Sequence, residues 1–381
     1  MRVASLVMAI LLASALAATA PVAVSPAAAA QADIPILVPI TGPLALEGTS
    51  QQNGALLALR EAPGGVAVKG EVSDTDTTPE VAVNALERAA ASGTPIAVVA
   101  SIFGPQILAM LPLAERYKLP LLTVSGTAKV TELGNPYVFR FFPADNLVKL
   151  AQARYAVEEL GRKRPALIYQ TTAYGQSGAS LLRPAFEKLG ASVVFEEGLD
   201  LTVKDMLPVL SKAKAAEPDV LILQLHAGPT ALLVQQAARM GLGLPIVAGS
   251  AMHQPSTAAL VEPTDLKDVC AETGSSPISA ETAGIKTWLE HYRAAFGGDP
   301  DAYALAQYDG VEMVEQAIAE GANTPAQVRD YLASRSYQGL AMTYRSDGKG
   351  NMAHSAEIVC YDGKTRTPKV VKHYGNLDAL P

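Results

Sequence analysis

Short apolar runs rich in Val, Ile, Leu and Ala alternate along this chain with longer stretches whose apolar positions recur at helical spacing. The run at 34–39 leads to a helical pattern at 50–61, that at 66–73 to one at 79–91, and that at 96–100 to one at 106–117, before a further strand at 119–124. A second series follows Phe139-Arg140-Phe141-Phe142. It pairs strands at 166–170, 192–196 and 220–224 with helices at 175–188, 203–215 and 230–239, and ends in a strand at 246–248. Repeated strand–helix–strand units predict an α/β fold with parallel-rich sheets covered by helices on both faces. Two similar lobes follow, although no strict sequence repeat links them.

The remainder is less regular. A strand at 270–274 enters a Ser-Ser-Pro loop, helices are expected at 281–296, 302–319 and 324–334, and runs at 356–360 and 367–373 read as a hairpin around Asp362-Gly363. Three helices without intervening strands suggest that the chain returns to cover the first lobe.

Ahead of this pattern lies a segment of another kind. Arg2 supplies a positive start, residues 4–18 are apolar and Ala-rich, and Ala28-Ala29-Ala30 offers a cleavage site before Gln31. Residues 1–30 are therefore expected to be a cleavable secretion signal, with the mature protein exported. The other reading is an uncleaved anchor, for which the apolar run is short. The 30 Lys and Arg against 37 Asp and Glu are scattered, with no basic stripe, so nucleic acid is not an expected partner. The two cysteines, Cys270 and Cys360, would meet an oxidising compartment after export, but spacing leaves open whether they pair.

Enzyme signatures fail on inspection. Gly363-Lys364-Thr365 resembles the tail of a phosphate-binding loop, yet Ile358 stands where the leading Gly is needed and no helix follows. Gly274-Ser275-Ser276 lacks the second Gly of a nucleophile elbow. The histidines at 226, 253, 291, 354 and 373 show no metal-ligand spacing, so neither a metal nor a cofactor is expected.

The loops after the strands carry a binding signal instead. In open α/β sheets ligands sit beyond the carboxyl ends of strands, where helix N-termini favour anions. Gly104 lets backbone come close, while Ser125 and Thr127 supply hydroxyls and N–H donors suited to a carboxylate; the plainer reading is that Ser and Thr cap the next helices. Tyr174, opening the helix after 166–170, can lay its ring on an apolar ligand, or simply pack on its own lobe.

Ile40-Thr41-Gly42-Pro43, the run Ser73-Asp74-Thr75-Asp76-Thr77-Thr78-Pro79, Ser125-Gly126-Thr127 with Thr131-Glu132-Leu133, Tyr137-Val138-Phe139-Arg140, and Thr172-Ala173-Tyr174-Gly175-Gln176 together resemble the type I periplasmic solute-binding proteins of the leucine/isoleucine/valine-binding group. The likeness covers essentially the whole mature chain. It implies two Rossmann-like lobes joined by three crossover strands near Phe141, Ser275 and Tyr344, with lobe 1 formed by 31–141 and 276–343 and lobe 2 by 142–275 and 344–381. It further implies a monomer that closes on a small ligand and delivers it to an inner-membrane ABC permease. Both cysteines would fall in lobe 2, which favours their pairing.

Ligand contacts implied by the resemblance fall on Gly104, Ser125, Thr127, Tyr174, His226 and Ser250, with Glu47 at the place of a pocket-wall aromatic. Ser125, Thr127 and Tyr174 fit the pattern for gripping a carboxylate. Gly104 stands where a hydroxyl residue is usual, His226 where an aromatic is usual, and Ser250 where an acidic residue pairs with the ligand ammonium. Either Glu47 supplies that partner from the other lobe or the ligand has no α-ammonium, because an unpaired buried charge costs several kcal/mol. His226 and His253 near the cleft admit a second anionic group or an aromatic acid; alternatively they are rim residues bonded to backbone, and Glu47 is solvated. The expected function is a receptor for a branched-chain-type amino acid or related carboxylate. An aromatic acid, dicarboxylate or amide ligand, a sensor role on the same fold, and an enzyme of unknown type are the alternatives.

Overall fold

A strand covered by helices on both faces carries apolar side chains on both, and the central strands here are built that way. The computed structural model describes residues 32–375 apart from positions 63, 64, 67 and 94. The expected secretion signal therefore lies outside the described residues. Ile36–Val38, Val98–Ala100 and Leu121–Thr123 are buried at every position. With Val72–Asp74 at one edge and Val138–Arg140 at the other, they form a five-stranded, wholly parallel sheet.

Successive residues point to opposite faces, and the cores divide accordingly. Ile36, Val38, Val99 and Leu122 face a core completed by helices Ala45–Glu61, Ile285–Phe296, Ala302–Ala319 and Pro325–Ser334, through Ala55, Trp288, Leu305, Val311 and Leu332. Leu37, Val98, Ala100 and Leu121 face Leu86 of Pro79–Ala91 and Ile107 and Met110 of Gly104–Tyr117. The three late helices thus return to cover the first sheet.

The second sheet has seven strands in the order Phe195–Leu199, Pro165–Gln170, Val220–Gln224, Ile246–Ala248, Val269–Thr273, Ser355–Cys360 and Lys369–Gly375. The first five are parallel, and the last two join antiparallel as a C-terminal hairpin. Asp145–Arg154 and Ala173–Lys188 cover one face, Leu207–Ala215 and Ala227–Arg239 the other. The architecture is α/β, with two Rossmann-like lobes. The chain passes between them after Arg140, between Thr273 and Ile285, and between Arg345 and Ser355. Cys270 and Cys360 face each other across the antiparallel pair and are disulfide-bonded.

Several boundaries differ from expectation for local reasons. The strand expected at 192–196 occupies Phe195–Leu199, and the helix expected from 203 begins at Leu207. Asp200 accepts the N–H of Thr202, and Asp205 that of Leu207, so these short acids hold the intervening chain in turns. The run at 66–73 splits into Val68–Lys69 and Val72–Asp74 around Gly70, where a Cβ would lie 2.9 Å from the Ile34 carbonyl oxygen. The helix expected from 281 starts at Ile285. Asp362 accepts the N–H groups of Lys364 and Thr365 in the C-terminal hairpin loop, where Gly363 has φ +72°, so that stretch is a turn. No helix among the described residues is long and apolar enough to cross a membrane.

Candidate functional site

Strand Leu121–Thr123 ends in a loop whose shape is set by one buried guanidinium. Arg140 Nη1 donates to the carbonyl oxygens of Ser125 (3.1 Å), Gly126 (3.1 Å) and Thr127 (2.7 Å), while Nη2 donates to Thr131 Oγ1 and Asn351 Oδ1, both at 2.6 Å. Burial depresses its pKa to about 10, with Asp145, Asp347 and Glu132 acting in the opposite sense. It remains charged at neutral pH. With the carbonyls turned toward Arg140, the hydroxyls of Ser125 and Thr127 stay buried and without a hydrogen-bond partner. Buried hydroxyls are normally satisfied, so these two call for an explanation such as a bound water, ion or ligand.

Gly104 opens helix Gly104–Tyr117 against this loop. A Cβ there would lie 2.4 Å from Thr127 Oγ1 and 3.2 Å from the Ala173 Cβ of the second lobe. Gly104 is thus required for close approach of chain to chain rather than of chain to ligand in this state.

Helix Ala45–Glu61 is aimed by the acidic loop of the first lobe. Asp74 accepts from the Ile40 N–H and the Thr41 hydroxyl, fixing the Gly42-Pro43 turn ahead of it. Its first turn carries Glu47, 2% exposed. Glu47 Oε1 accepts the Ala227 N–H at 2.9 Å and lies 3.6 Å from His226 Nδ1, both at the N-terminus of Ala227–Arg239 in the second lobe. A carboxylate is favoured there because the free N–H groups and the helix dipole carry positive charge. Glu47 Oε2 has no partner. Glu47 is therefore neither solvated nor idle.

In the second lobe Thr172 caps helix Ala173–Lys188 by accepting the Gly175 N–H, which presents Tyr174 toward the first lobe. The Tyr174 ring lies 5.1 Å from that of His226, and its hydroxyl lacks a partner of hydrogen-bond geometry. Burial pushes the phenol pKa up, so it is a donor at neutral pH. His226 is positioned by its own N–H, which donates to Gln170 Oε1 at 2.7 Å, and its ring meets Phe103 edge-on at 5.8 Å. Ser250 Oγ donates to both oxygens of Glu272, at 2.8 and 2.9 Å.

Glu272 belongs to a buried network with no sequence signature. Lys149 Nζ bonds Glu272, lies 3.9 Å from Asp145 and sits 5.1 Å above the Tyr174 ring. Burial alone would lower the lysine pKa, but Glu272, Tyr174 and Asp145 outweigh it and hold the ammonium charged. Burial raises the pKa of Asp145, whose side-chain oxygens meet no partner within hydrogen-bond geometry. Tyr303 and His253 were also out of reach of sequence reasoning as a pair. They pack at 4.9 Å, and His253 Nε2 accepts the Ala302 N–H at 3.1 Å while Nδ1 donates to the Ser250 carbonyl.

A cavity between the lobes is lined by Leu44, Glu47, Ile102, Val124, Gly126 and Tyr174, and by His226, Ser250, Ala251 and Tyr303. Four of the expected site residues, Glu47, Tyr174, His226 and Ser250, share it. Ser125 and Thr127 flank its wall at Gly126, and Gly104 lies behind Thr127. Where a water centre can sit, the cavity measures about 20 Å³, room for about one water. The lobes are closed upon each other. Among the described residues no group of three or more His, Cys, Asp or Glu side chains could hold a metal ion.

Residues 31–365 match a family model described as periplasmic binding protein. An amino acid binding protein of Pseudomonas aeruginosa is 27% identical over 356 residues, 91% of this chain and 94% of that protein. Leu/Ile/Val-binding protein homolog 1 of Brucella suis biovar 1 is 26% identical over 303 residues, 76% of this chain and 79% of that protein. Among solved structures, a leucine binding protein from Thermotoga maritima has a TM-score of 0.84 at 23% identity, covering 91% of this chain and 100% of that one. A solute binding protein of an ABC transporter from Rhodopseudomonas palustris BisB5, in complex with 3,4-dihydroxybenzoic acid, has a TM-score of 0.83 at 19% identity, covering 91% of this chain and 97% of that one. At these identities the structural likenesses establish the fold alone.

Proposed function

Because the chain belongs to the periplasmic binding protein family, we propose that it is the solute receptor of an ABC importer and that its ligand is a small α-amino acid with an apolar side chain. The observation that carries the choice is Glu47 Oε2, a buried carboxylate oxygen with no partner on the wall of the interlobe cavity. A carboxylate oxygen only accepts, so its natural complement is an ammonium. The buried unpartnered hydroxyls of Ser125, Thr127 and Tyr174 supply the donors that a ligand carboxylate needs. Leu44, Ile102, Val124 and Ala251 offer apolar walls for a branched side chain once the lobes part to admit it, since the fully closed cavity holds only about one water.

Binding and closure are one event in this reading. The first lobe contributes Ser125, Thr127 and Glu47, and the second contributes Tyr174, His226 and Ser250. A ligand touching both groups favours the closed state by its contacts with the far lobe. The lobe limits proposed are 31–141 with 276–343 and 142–275 with 344–381, preceded by a cleaved export signal at 1–30. The protein works as a periplasmic monomer that hands its ligand to an inner-membrane permease.

The rings of Tyr174, His226 and Phe103 favour a second reading, an aromatic acid without an amine. The two are separated by a thermal-shift screen of the mature protein, since a ligand of the native state raises the melting temperature. Stabilisation by leucine, isoleucine or valine supports the first reading. Stabilisation by benzoates alone overturns it in favour of the second.

A further inference from the structure

Ser250 stands where the family resemblance places an acid, and its hydroxyl is already committed. It donates its one proton to the two oxygens of Glu272. What it can offer the cavity is lone pairs. Glu272 is held in place by Lys149 Nζ, and both side chains are fully buried. Lys149 in turn is fixed by Asp145 and by the Tyr174 ring. The phenols of Tyr174 and Tyr303 flank Ser250, and burial keeps both protonated.

We infer that the Lys149–Glu272 pair fixes Ser250 as an obligate hydrogen-bond acceptor, so that the second lobe reads an amine N–H of the ligand through a neutral oxygen backed by a carboxylate. The inference rests on the amino-acid reading above and deepens it. Glu47 contributes the formal negative charge from the first lobe, and Ser250 contributes a polarised acceptor from the second. A second carboxylate facing Glu47 across the closed cavity would add like-charge repulsion to the cost of burial. Recessing the acid behind Ser250, against its own lysine, avoids that while keeping the direction of the hydrogen bond. Glu272 and Lys149 act through Ser250 and are positioning residues.

The test is calorimetric binding of α-amino acids, each paired with its deaminated analogue, L-leucine with 4-methylpentanoate first. Wild-type protein, Ser250→Ala, Glu272→Gln and the double variant of these two are compared. Lys149→Met/Glu272→Gln is added because Glu272→Gln alone strands a buried ammonium. Ser250→Ala and both Glu272 variants are expected to lose about tenfold in affinity for the amino acid and little for the deaminated acid. Combining Ser250→Ala with Glu272→Gln should cost no more than either change alone. A wild-type preference for the amino acid that survives unchanged in folded Ser250→Ala or Lys149→Met/Glu272→Gln protein overturns this inference and leaves the amino-acid reading standing. Losses equal for both ligands, or additive in the double variant, overturn it likewise. If no amino acid of the twenty binds the wild type better than its analogue, the amino-acid reading falls and this inference with it.

Discussion

The Arg140 guanidinium reaches the Thr127 carbonyl at 2.7 Å from below the loop, and the Thr127 hydroxyl is left facing Gly104 with nothing to bond. The same cation serves Ser125, Gly126, Thr131 and Asn351. Arg140→Met strands that set of acceptors and is expected to destabilise the protein by about 3–5 kcal/mol, as broken buried networks do. Urea denaturation measures the loss. Thr127→Ala removes only a hydroxyl that no protein group uses, so its melting temperature without ligand should stay within about a degree of wild type while affinity falls about tenfold. Equal destabilisation by both changes would show that the loop is not held from the Arg140 side.

Gly104 abuts both Thr127 and Ala173 of the opposite lobe. A methyl group at this position meets the Ala173 Cβ at 3.2 Å only when the lobes are together, whereas its 2.4 Å approach to Thr127 Oγ1 lies within the first lobe. Gly104→Ala should therefore weaken ligand binding by about tenfold or more, and it should also lower stability by about 1 kcal/mol because Thr127 must shift within its own lobe. Small-angle scattering with saturating ligand should report a larger radius of gyration than for wild type. An unchanged affinity would place the tight contact outside the closing motion.

His253 donates from Nδ1 to Ser250 and accepts at Nε2 from the Ala302 N–H, an arrangement open only to the neutral ring. Burial lowers its pKa below 6.5, against the pull of Asp301, the Ser250 carbonyl and Glu272. Above that pH neither the buried nor an exposed ring holds the extra proton, and the histidine contributes no pH dependence. Below it an exposed ring takes up a proton that the buried one refuses, so the native state loses stability as pH falls, by up to about 1.4 kcal/mol per pH unit. Melting curves from about pH 7.5 to about pH 5 should fall more steeply for wild type than for His253→Gln.

The disulfide links positions 90 residues apart on adjacent strands. Cys270→Ala/Cys360→Ala should cost about 2–4 kcal/mol in urea denaturation, the usual range for a bridge closing a long loop. The strand pairing that holds Glu272 opposite Ile358 remains, so affinity should change by less than about twofold. A stability unchanged by the double substitution would mean that the bridge constrains the unfolded chain little.

The alternating units of both lobes were readable because each strand ends in turn residues and each helix follows at its own period. Ser125, Thr127 and Tyr174 stood out for a related reason: each follows a strand within a few residues, and the structure leaves all three hydroxyls buried without a partner. Lys149 and Glu272 did not. They lie 123 residues apart, and each reads as an ordinary charged position until the sheet brings them together. Glu47 was found by resemblance, yet its bond to the Ala227 N–H depends on lobe closure, which no local pattern encodes. The hairpin of Ser336–Gln338 and Thr343–Arg345 escaped because three-residue strands carry too little alternation to register.

The order in which the chain visits its two sheets sets a limit on how it can be made. Strand Val269–Thr273 receives its outer neighbour only from Ser355–Cys360, and the first sheet waits for helices Ile285–Phe296 and Ala302–Ala319 before one of its faces is covered. A ribosome emitting this chain from its N-terminus therefore releases no finished lobe until the last few tens of residues have emerged. Both halves must then mature together, late and through contacts distant in sequence, which predicts slow folding with an exposed apolar sheet face as its vulnerable stage.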